Sequence, residues 1–378
     1  MASILDSVKK ALGSGHKGAI LGIDIGSSSI KVVAIEEVNE KVVLRNYGEL
    51  ALGPRAGFSM GQATSLSPEK IAEALKDLLK EAGIVAHHTV IAIPFSASLL
   101  TVAELPDVEK KELGSMIPLE ARRYIPVPIT EVSLDWWVLP KRKSEVQAPA
   151  LPIANDGAPK QIGKIEVIIA AIHNEVIKKY ESIKRDAAIP GEASHFEIEI
   201  FSTLRAVVGR DLSPILVADI GAGSTKLALV DEGVVRGSHV ISMGGQDITM
   251  ALSKSKEYSF DKAEEIKCRV GMLGEGEGRD VRVVSELLLA NILNEAERFV
   301  ENYENKHKTK IAKVILVGGG ARLKGIEKNV LKNFPNAEVS VGDPFARVDA
   351  PAFLATTLKE LSPDFAVSLG VALRGLEE

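Results

Sequence analysis

The sequence predicts an α/β protein made of two related halves, and three observations lead to this fold class. A short motif occurs twice, strand-like and helix-like segments alternate around both copies, and a third apolar strand runs into three consecutive glycines. Such alternation indicates α/β layers, because sheets and helices cover each other's apolar faces. We therefore expect two homologous halves that face each other.

The repeated motif occupies residues 19–31 and 214–226. Both copies carry Ile-Leu, then Asp-Ile-Gly, then a serine and a final lysine, and an apolar run follows each copy. An apolar strand, a turn of small residues and a second apolar strand are typical of a β-hairpin. Two such hairpins with matching flanks indicate an internal duplication.

Both hairpin turns carry residue types that bind phosphate. Backbone N–H groups and hydroxyls in turns rich in glycine, serine and threonine can surround an anion. The candidate phosphate-binding residues are Gly26, Ser27, Ser28 and Ser29 in the first turn and Gly221, Gly223, Ser224 and Thr225 in the second. A nucleoside triphosphate is the ligand that such a pair of turns suggests.

Charged residues flank the two turns at equivalent positions. Asp24 and Asp219 end the first strands of the hairpins. Mg²⁺ keeps several waters and is commonly held by one or two carboxylates, so the two aspartates suit it, although each can instead cap its own turn. Lys31 can neutralise a phosphate as a point charge. Lys226 is either the counterpart of Lys31 or a surface residue.

A third turn follows the apolar strand over residues 314–317. It contains Gly318, Gly319 and Gly320, and a helix is predicted after it. Glycines let the backbone approach a flat or anionic ligand closely. The alternative is a tight strand-to-helix turn without a ligand. The two phosphate-type hairpins favour the ligand.

Composition excludes several classes of protein. The 378 residues carry a net charge of −5, so there is no basic excess for binding nucleic acid. The single cysteine, Cys268, cannot form an internal disulfide or a cysteine-based zinc site, and this fits a reducing compartment. No apolar run approaches the ~20 residues that a bilayer-spanning helix needs.

Five motifs, taken in order, resemble those of the actin-like ATPase superfamily, which includes actin, Hsp70, sugar kinases, MreB and FtsA. The hairpins are similar to its two phosphate motifs and residues 318–323, with Arg322, to its adenosine motif. Residues 195–206 and 365–376 are similar to its connecting helices. The resemblance implies a two-lobed actin-like ATPase fold, a duplicated RNase H-like fold, that binds ATP and Mg²⁺.

Within the superfamily, the chain resembles the PilM family of cytoplasmic type IV pilus assembly proteins. The resemblance rests on residues 22–33, on 120–126 with 135–139, and on 243–249 with 263–267. It implies an inserted subdomain of the FtsA 1C type. FtsA ends in a membrane-targeting helix, whereas this sequence stops at Glu378. We therefore expect the protein to reach the inner membrane through a partner.

The resemblance divides the chain into eight segments. Residues 67–82 and 281–304 have helical apolar spacing, and residues 140–163 predict a long exposed loop or hairpin. The expected segments are an N-terminal helix that lies on the surface or binds a membrane or partner (1–16), lobe 1A (17–87), the inserted subdomain (88–190), the connecting helix of 1A (191–212), lobe 2A (213–250), subdomain 2B (251–310), the rest of 2A (311–350) and a closing helix (351–378).

Further site residues follow from the resemblance alone. Glu264 and Lys267 are similar to the family's ribose and adenine contacts, and the alternative is an exposed ion pair. Glu199 occupies the place of a water-orienting glutamine, where it orients or deprotonates water or is an exposed charge. Ala222 replaces a second aspartate of actins. These two departures predict ATP binding with slow or absent hydrolysis.

The resemblance implies a scaffold whose nucleotide state sets partner binding. A groove between the first lobe and the inserted subdomain is expected to accept the short cytoplasmic N-terminal tail of PilN, beside other inner-membrane platform proteins. Arg122, Arg123 and one residue of the Trp136–Trp137 pair are candidates for the partner surface. The alternatives are a sugar or acetate kinase, an Hsp70-like chaperone, and a self-associating filament protein of the FtsA or MreB kind.

Overall fold

The computed structural model describes residues 18–142, 163–190, 192–275 and 278–377, and it contains two five-stranded sheets and one three-stranded sheet. The N-terminal helix expected over residues 1–16 and most of the loop expected over residues 140–163 lie outside the described residues. Among the described helices, none has both the length and the apolarity needed to span a bilayer.

The first five-stranded sheet, here called lobe one together with its helices, has the order β3-β2-β1-β4-β8. β1 pairs antiparallel with β2 and parallel with β4, and β4 pairs parallel with β8. Its strands are β1 (Ile20–Ile25), β2 (Ser29–Val38), β3 (Lys41–Ala51), β4 (His88–Ile93) and β8 (Glu192–Ile198). The first copy of the repeat forms the β1–β2 hairpin.

The second sheet, here called lobe two together with its helices, repeats this arrangement in the order β11-β10-β9-β12-β13. Again the first strand pairs antiparallel with the second and parallel with the fourth. Its strands are β9 (Ile215–Ile220), β10 (Thr225–Asp231), β11 (Val234–Ile241), β12 (Lys313–Val317) and β13 (Glu338–Val341). The predicted duplication is therefore confirmed at the level of topology.

Helices cover both sheets, and the first illustrates why they form. α1 (Pro68–Glu81) begins after Ser67, whose hydroxyl accepts from the backbone N–H of Lys70, and proline occupies the first turn. Its apolar residues, among them Leu75 and Leu78, are buried on lobe one. Burial of each such side chain stabilises the fold by about 1.5–3 kcal/mol. The helix predicted over residues 67–82 is confirmed.

The other helices follow in chain order. They are α2 (Lys110–Ala121), α3 (Asn174–Asp186), α4 (Glu199–Val207), α5 (Gly245–Lys256), α6 (Phe260–Val270), α7 (Arg279–His307), α8 (Ile326–Asn333), α9 (Ala355–Leu361) and α10 (Ala366–Arg374). Helix α7 contains the helix predicted over residues 281–304. The helices α5, α6 and α7 pack together above the sheet of lobe two.

The third sheet forms the inserted subdomain, which consists of β5 (Ser98–Pro106), β6 (Val132–Val138), β7 (Lys164–His173) and α2. Central strand β7 is buried on both faces, one under α2 and the other against lobe two. The sequence assigned all of residues 88–190 to this unit. Strand β4 and helix α3 instead belong to lobe one, because β4 pairs with β1 and α3 packs on α1.

The segment that resembled the first connecting helix begins as a strand. Residues 195–198 pair in parallel with β4, and helix α4 starts only at Glu199. The expectation of a helix from residue 195 is wrong, because the open edge of β4 offers unpaired backbone groups that a strand satisfies. The second connecting helix, α10, lies where the sequence predicted it.

Helices α4 and α10 cross at the junction between the lobes with no side chain between their backbones. A Cβ atom placed on Gly370 would lie 1.9 Å from the carbonyl oxygen of Ser202. Two residues earlier, on the opposite side of α10, the carbonyl of Ser368 lies 2.0 Å from a Cβ atom placed on Gly22 of β1. Both contacts require glycine, so α10 packs backbone to backbone on β1 of lobe one and on α4, which in turn packs on lobe two.

We expect Gly370→Ala to lower the free energy of unfolding by about 2–4 kcal/mol, because the added methyl group must push α4 and α10 apart. The matched control is Gly114→Ala, in helix α2, where no atom lies within 4 Å of the added carbon. That substitution should stabilise the protein by about 0.5–1 kcal/mol through helix propensity. Urea unfolding of both variants measures the difference, and equal effects would contradict backbone contact at the junction.

Candidate functional site

A cleft of about 1040 Å³ lies between the lobes, and most of the residues singled out in the sequence line it. A cleft of this size can hold a nucleotide-sized ligand. The predicted site residues that line it are Asp24, Gly26, Ser27, Ser28, Ser29, Lys31, Glu199, Asp219, Gly221, Ser224, Glu264, Lys267, Gly318, Gly319, Gly320 and Arg322. Residues that are distant in the sequence therefore meet around one cavity.

The two hairpins have the same backbone geometry. In each, the glycine that opens the turn donates its N–H to the carbonyl three residues later, at 3.0 Å from Gly26 and 2.9 Å from Gly221. The aspartate and the lysine of each copy are direct cross-strand partners. The two tips approach each other, since a Cβ atom on Gly223 would lie 3.8 Å from the hydroxyl of Ser27.

Asp24 is a partly buried carboxylate on the floor of the cleft. Among the described residues, its side chain makes no hydrogen bond and no ion pair. Burial raises the pKa of Asp24 to about 7, against the lowering effect of the nearby Lys31. Burial therefore disfavours the charged form of Asp24, and a cation bound beside it would stabilise that charged form.

The two repeat lysines are paired with different carboxylates. Lys31 donates to the hydroxyl of Ser29 at 2.6 Å and lies 3.1 Å from Glu49. Lys226 lies between Asp219 at 3.5 Å and Glu199 at 3.4 Å. Burial acts to lower both lysine pKa values, but these carboxylates outweigh it and raise them. Lys226 is therefore an interior residue, and the surface alternative is wrong.

The three glycines after β12 differ in how closely other atoms surround them. Gly318 has φ +79°, and a Cβ atom there would lie 2.4 Å from a carboxylate oxygen of Asp219. A Cβ atom on Gly320 would lie 2.2 Å from the side chain of Ile220. Gly319 has no such neighbour closer than 3.7 Å. Two of the glycines are thus required by the protein's own packing, whereas a Cβ atom at Gly319 would make only an ordinary van der Waals contact, with Asp364.

The far end of the cleft is formed by α5 and α6. Lys267 donates to Glu264 at 2.8 Å, to the hydroxyl of Thr249 at 2.9 Å and to the carbonyl of Gly245 at 3.1 Å. Its side chain is 11% exposed. The ion pair expected on the helix surface exists, but it is buried and anchors α6 to α5. Glu264 remains the more accessible of the two residues.

Two of the predicted phosphate ligands do not line the cleft. The hydroxyl of Thr225 donates to the carbonyl of Met243 at 2.9 Å, so this buried residue ties the hairpin to the segment before α5. Gly223 lies at the tip that faces lobe one. The expectation that Thr225 aims its hydroxyl at the cleft is wrong, because alternation along β10 turns that side chain to the opposite face from Lys226, which lines the cleft.

Several cleft residues were not predicted from the sequence. Glu49 lies on β3 and holds Lys31, and Asp364 is a buried carboxylate that accepts from Arg322 at 2.8 Å. Burial raises the pKa of Asp364. Gln246 accepts from the backbone N–H of Ala63 at 3.1 Å, which links lobe two to lobe one. Of these residues, only Gln246 had a local signal in the sequence, namely the pair of glycines that precedes it.

The carboxylates that face the cleft can hold a divalent cation only with help from other oxygen ligands. Within the described ranges, no group of three or more histidine, cysteine or acidic side chains has a metal-binding arrangement. Asp24 and Asp219 project from opposite lobes into the same space. Phosphate oxygens and waters would supply the remaining ligands that Mg²⁺ requires.

Comparisons with known proteins cover nearly the whole chain. The model of the family described as type IV pilus assembly protein PilM matches residues 22–376. A chain of the solved PilM–PilN type IV pilus biogenesis complex is 27% identical, with a TM-score of 0.76 over 95% of this chain and 99% of that one.

More distant relatives share the fold. FtsA of Pseudomonas aeruginosa is 22% identical over 390 residues, which span 95% of this chain and 89% of FtsA. MreB5 of Spiroplasma citri, solved with bound AMPPNP, is 13% identical with a TM-score of 0.52, over 94% of this chain and 95% of MreB5. These similarities support the two-lobed actin-like fold predicted from the sequence.

We expect Asp24→Asn to stabilise the protein without ligand, by about 1–3 kcal/mol at pH 8, because it removes a charge that burial disfavours. The folded-state pKa lies above the ordinary value of 3.8, so ionisation reduces stability as pH rises from about 4 to about 7. The advantage of the variant should therefore be smaller at pH 5 than at pH 8. Urea unfolding with EDTA at both pH values measures it, and a destabilised variant at pH 8 would contradict the electrostatic account.

Proposed function

The chain belongs to the family of the type IV pilus assembly protein PilM, and we propose that it is an ATP-binding scaffold of the pilus assembly platform. The observation that carries this proposal is the cleft itself. Two hairpins of identical backbone geometry face each other across it, and each presents an aspartate and a small-residue turn. A polyphosphate with its cation has the charge and the length to occupy that space.

The residues present fit Mg-ATP. Backbone N–H groups and the hydroxyls of Ser27, Ser28 and Ser224 line the cleft where phosphates would lie, and Lys31 adds a positive charge. Asp24 and Asp219 would hold Mg²⁺ through water. Glu264 and Gly319 line the part of the cleft where we place the nucleoside. Bound Mg²⁺ would neutralise phosphate charge and stabilise the closed arrangement of the lobes.

We further propose that hydrolysis is slow or absent. Glu199, the candidate for orienting water, is 6% exposed and already accepts a hydrogen bond from the backbone N–H of Phe95 at 2.7 Å. Its second partner is the ammonium group of Lys226. A general base must be free to accept a proton from water. The carboxylate so engaged, together with Ala222 in place of an acidic residue, supports nucleotide binding rather than turnover.

The partner groove is proposed between lobe one and the inserted subdomain. Within the described residues, β6 pairs only with β7, so its other edge has backbone groups to which an extended peptide can add. Trp137 on β6 is 37% exposed, and its ring centroid lies 5.4 Å from that of Phe201 on α4. Trp136 packs in the core of the subdomain, which leaves Trp137 as the residue suited to a partner.

The occupant that we propose for this groove is the short cytoplasmic N-terminal tail of PilN. The support is the similarity to the PilM chain of the solved PilM–PilN complex. Binding of PilN, an inner-membrane protein, would bring this chain to the inner membrane. Arg122 and Arg123, exposed at the end of α2, remain candidates for contacts with that tail or with other platform proteins.

Calorimetric titration with Mg-ATP tests the nucleotide site. We expect Asp24→Ala and Lys31→Met each to weaken binding by about tenfold or more, which corresponds to about 1.4 kcal/mol. The effect of Asp24→Ala should shrink when ATP is titrated in EDTA, because its role depends on the cation. Lys41→Met, which removes an exposed lysine paired with Asp349 outside the cleft, is the matched control. Unchanged binding of Mg-ATP to Asp24→Ala would refute the phosphate site.

Fluorescence anisotropy with a labelled PilN N-terminal peptide tests the partner groove. We expect Trp137→Ala to weaken peptide binding at least about tenfold, because exposed tryptophans at interfaces carry much of the binding free energy. Phe353→Ala, which removes an aromatic ring that is 83% exposed outside the inserted subdomain, should leave affinity unchanged. Equal affinities of the two variants would argue against a groove beside β6.

A further inference from the structure

We infer that Glu199 is a positioning residue that couples the cation end of the cleft to the base of the inserted subdomain. The inference rests on the proposed function, since it assigns to one side chain the link between the nucleotide site and the partner groove. Glu199 is the first residue of α4, at the junction of the two lobes. Its two contacts lead to different parts of the molecule.

The first contact reaches the inserted subdomain. The carboxylate of Glu199 accepts from the backbone N–H of Phe95 at 2.7 Å, and both residues are buried. Phe95 lies between β4 of lobe one and β5 of the inserted subdomain, so this hydrogen bond holds the point at which the subdomain leaves lobe one. Leaving a buried N–H without an acceptor costs about 1–3 kcal/mol of stability, so loss of this hydrogen bond is unfavourable.

The second contact reaches the cleft. The Glu199 carboxylate lies 3.4 Å from Nζ of Lys226, and the same ammonium group lies 3.5 Å from Asp219. Lys226 is therefore shared between a carboxylate that faces the cleft and one that holds the subdomain. Its side chain is 18% exposed and that of Glu199 only 7%, so solvent screens these charges weakly. A cation bound at Asp219 would compensate the charge of that carboxylate. Lys226 would then interact more strongly with Glu199 than with Asp219.

The inserted subdomain also touches lobe two, which gives this coupling a mechanical consequence. Arg236 of β11 donates to Glu166 of β7 at 2.8 Å, with its guanidinium buried, and Lys306 of α7 pairs with Glu104 of β5 at 2.9 Å. The inserted subdomain is attached to lobe one at Phe95 and packs on lobe two. A change in the angle between the lobes must therefore alter its contacts with one lobe or the other. A Glu199 carboxylate held more firmly by Lys226 stays in place as the acceptor for Phe95, so the contact with lobe one is the one that is kept.

The alternative role of Glu199, as the base that activates water, makes a different prediction. A base is needed for turnover and has no part in how bound nucleotide affects the inserted subdomain. Glu199→Gln separates the two roles, because the amide oxygen can still accept from Phe95 while the charge that attracts Lys226 is lost. The substitution preserves size and leaves the buried N–H satisfied, so we expect the variant to fold.

Hydrogen exchange of the full chain, with and without a non-hydrolysable ATP analogue and Mg²⁺, tests the inference without the partner. In the wild type, the analogue should slow exchange across residues 95–106 by about fivefold or more. Glu199→Gln and Lys226→Met should each abolish this slowing. Lys306→Met, which removes an exposed ion pair between lobe two and the inserted subdomain, should still show the slowed exchange. Slowing that persists in Glu199→Gln, or that is absent from the wild type with bound analogue, would overturn the inference.

The PilN peptide provides a second readout. In the wild type, the analogue should change the dissociation constant of the peptide about fivefold or more, and Glu199→Gln should reduce that ratio to about one. If calorimetry detects no nucleotide binding to the wild type, the proposed function fails, and the inference fails with it. If nucleotide binds and Glu199→Gln keeps the wild-type ratio, only the inference fails.

Discussion

The crossing of α4 and α10 is the contact on which the rest of the molecule depends. Gly370 and Ser202 bring the two helix backbones together, and Arg205 of α4 reinforces the crossing by donating to the carbonyl of Gly370 at 3.1 Å and to Glu197. Because no side chain separates the helices, the lobes meet at a fixed junction and the hairpin turns face each other above it. A cleft shaped by two sheets therefore follows from one close backbone contact.

The two hairpins of the repeat have the same backbone register, but their lysines are paired with different carboxylates. The lysine of the first hairpin is held by Glu49 on a neighbouring strand, whereas that of the second is held by Glu199 across the junction. The first arrangement keeps a positive charge beside the first hairpin turn. The second connects the cleft to the inserted subdomain. The two copies of the repeat thus share one backbone geometry, while the charged residues around them differ.

The buried charges of the cleft oppose stability. Asp24 and Asp364 are carboxylates whose pKa values are raised mainly by burial, and one oxygen of Asp364 has no hydrogen-bond partner among the described residues. Buried carboxylates are costly, more so at Asp24 than at Asp364, which is paired with Arg322, and such groups are concentrated at functional sites. The apolar cores of both lobes offset the cost. The ligand that compensates these charges would also stabilise the fold, by mass action.

The sequence by itself determined the features that depend on neighbours along the chain. These are the two hairpins with Asp24 and Asp219, the glycine turn and the capped helix α1, because turn chemistry, capping and apolar periodicity are local. Tertiary structure alone decided that residues 195–198 form a strand, that Lys226 is interior and that Thr225 faces away from the cleft. Each of these outcomes is set by a partner far away in sequence: the open edge of β4, the carboxylate of Glu199 and the carbonyl of Met243. No local pattern encodes such a partner.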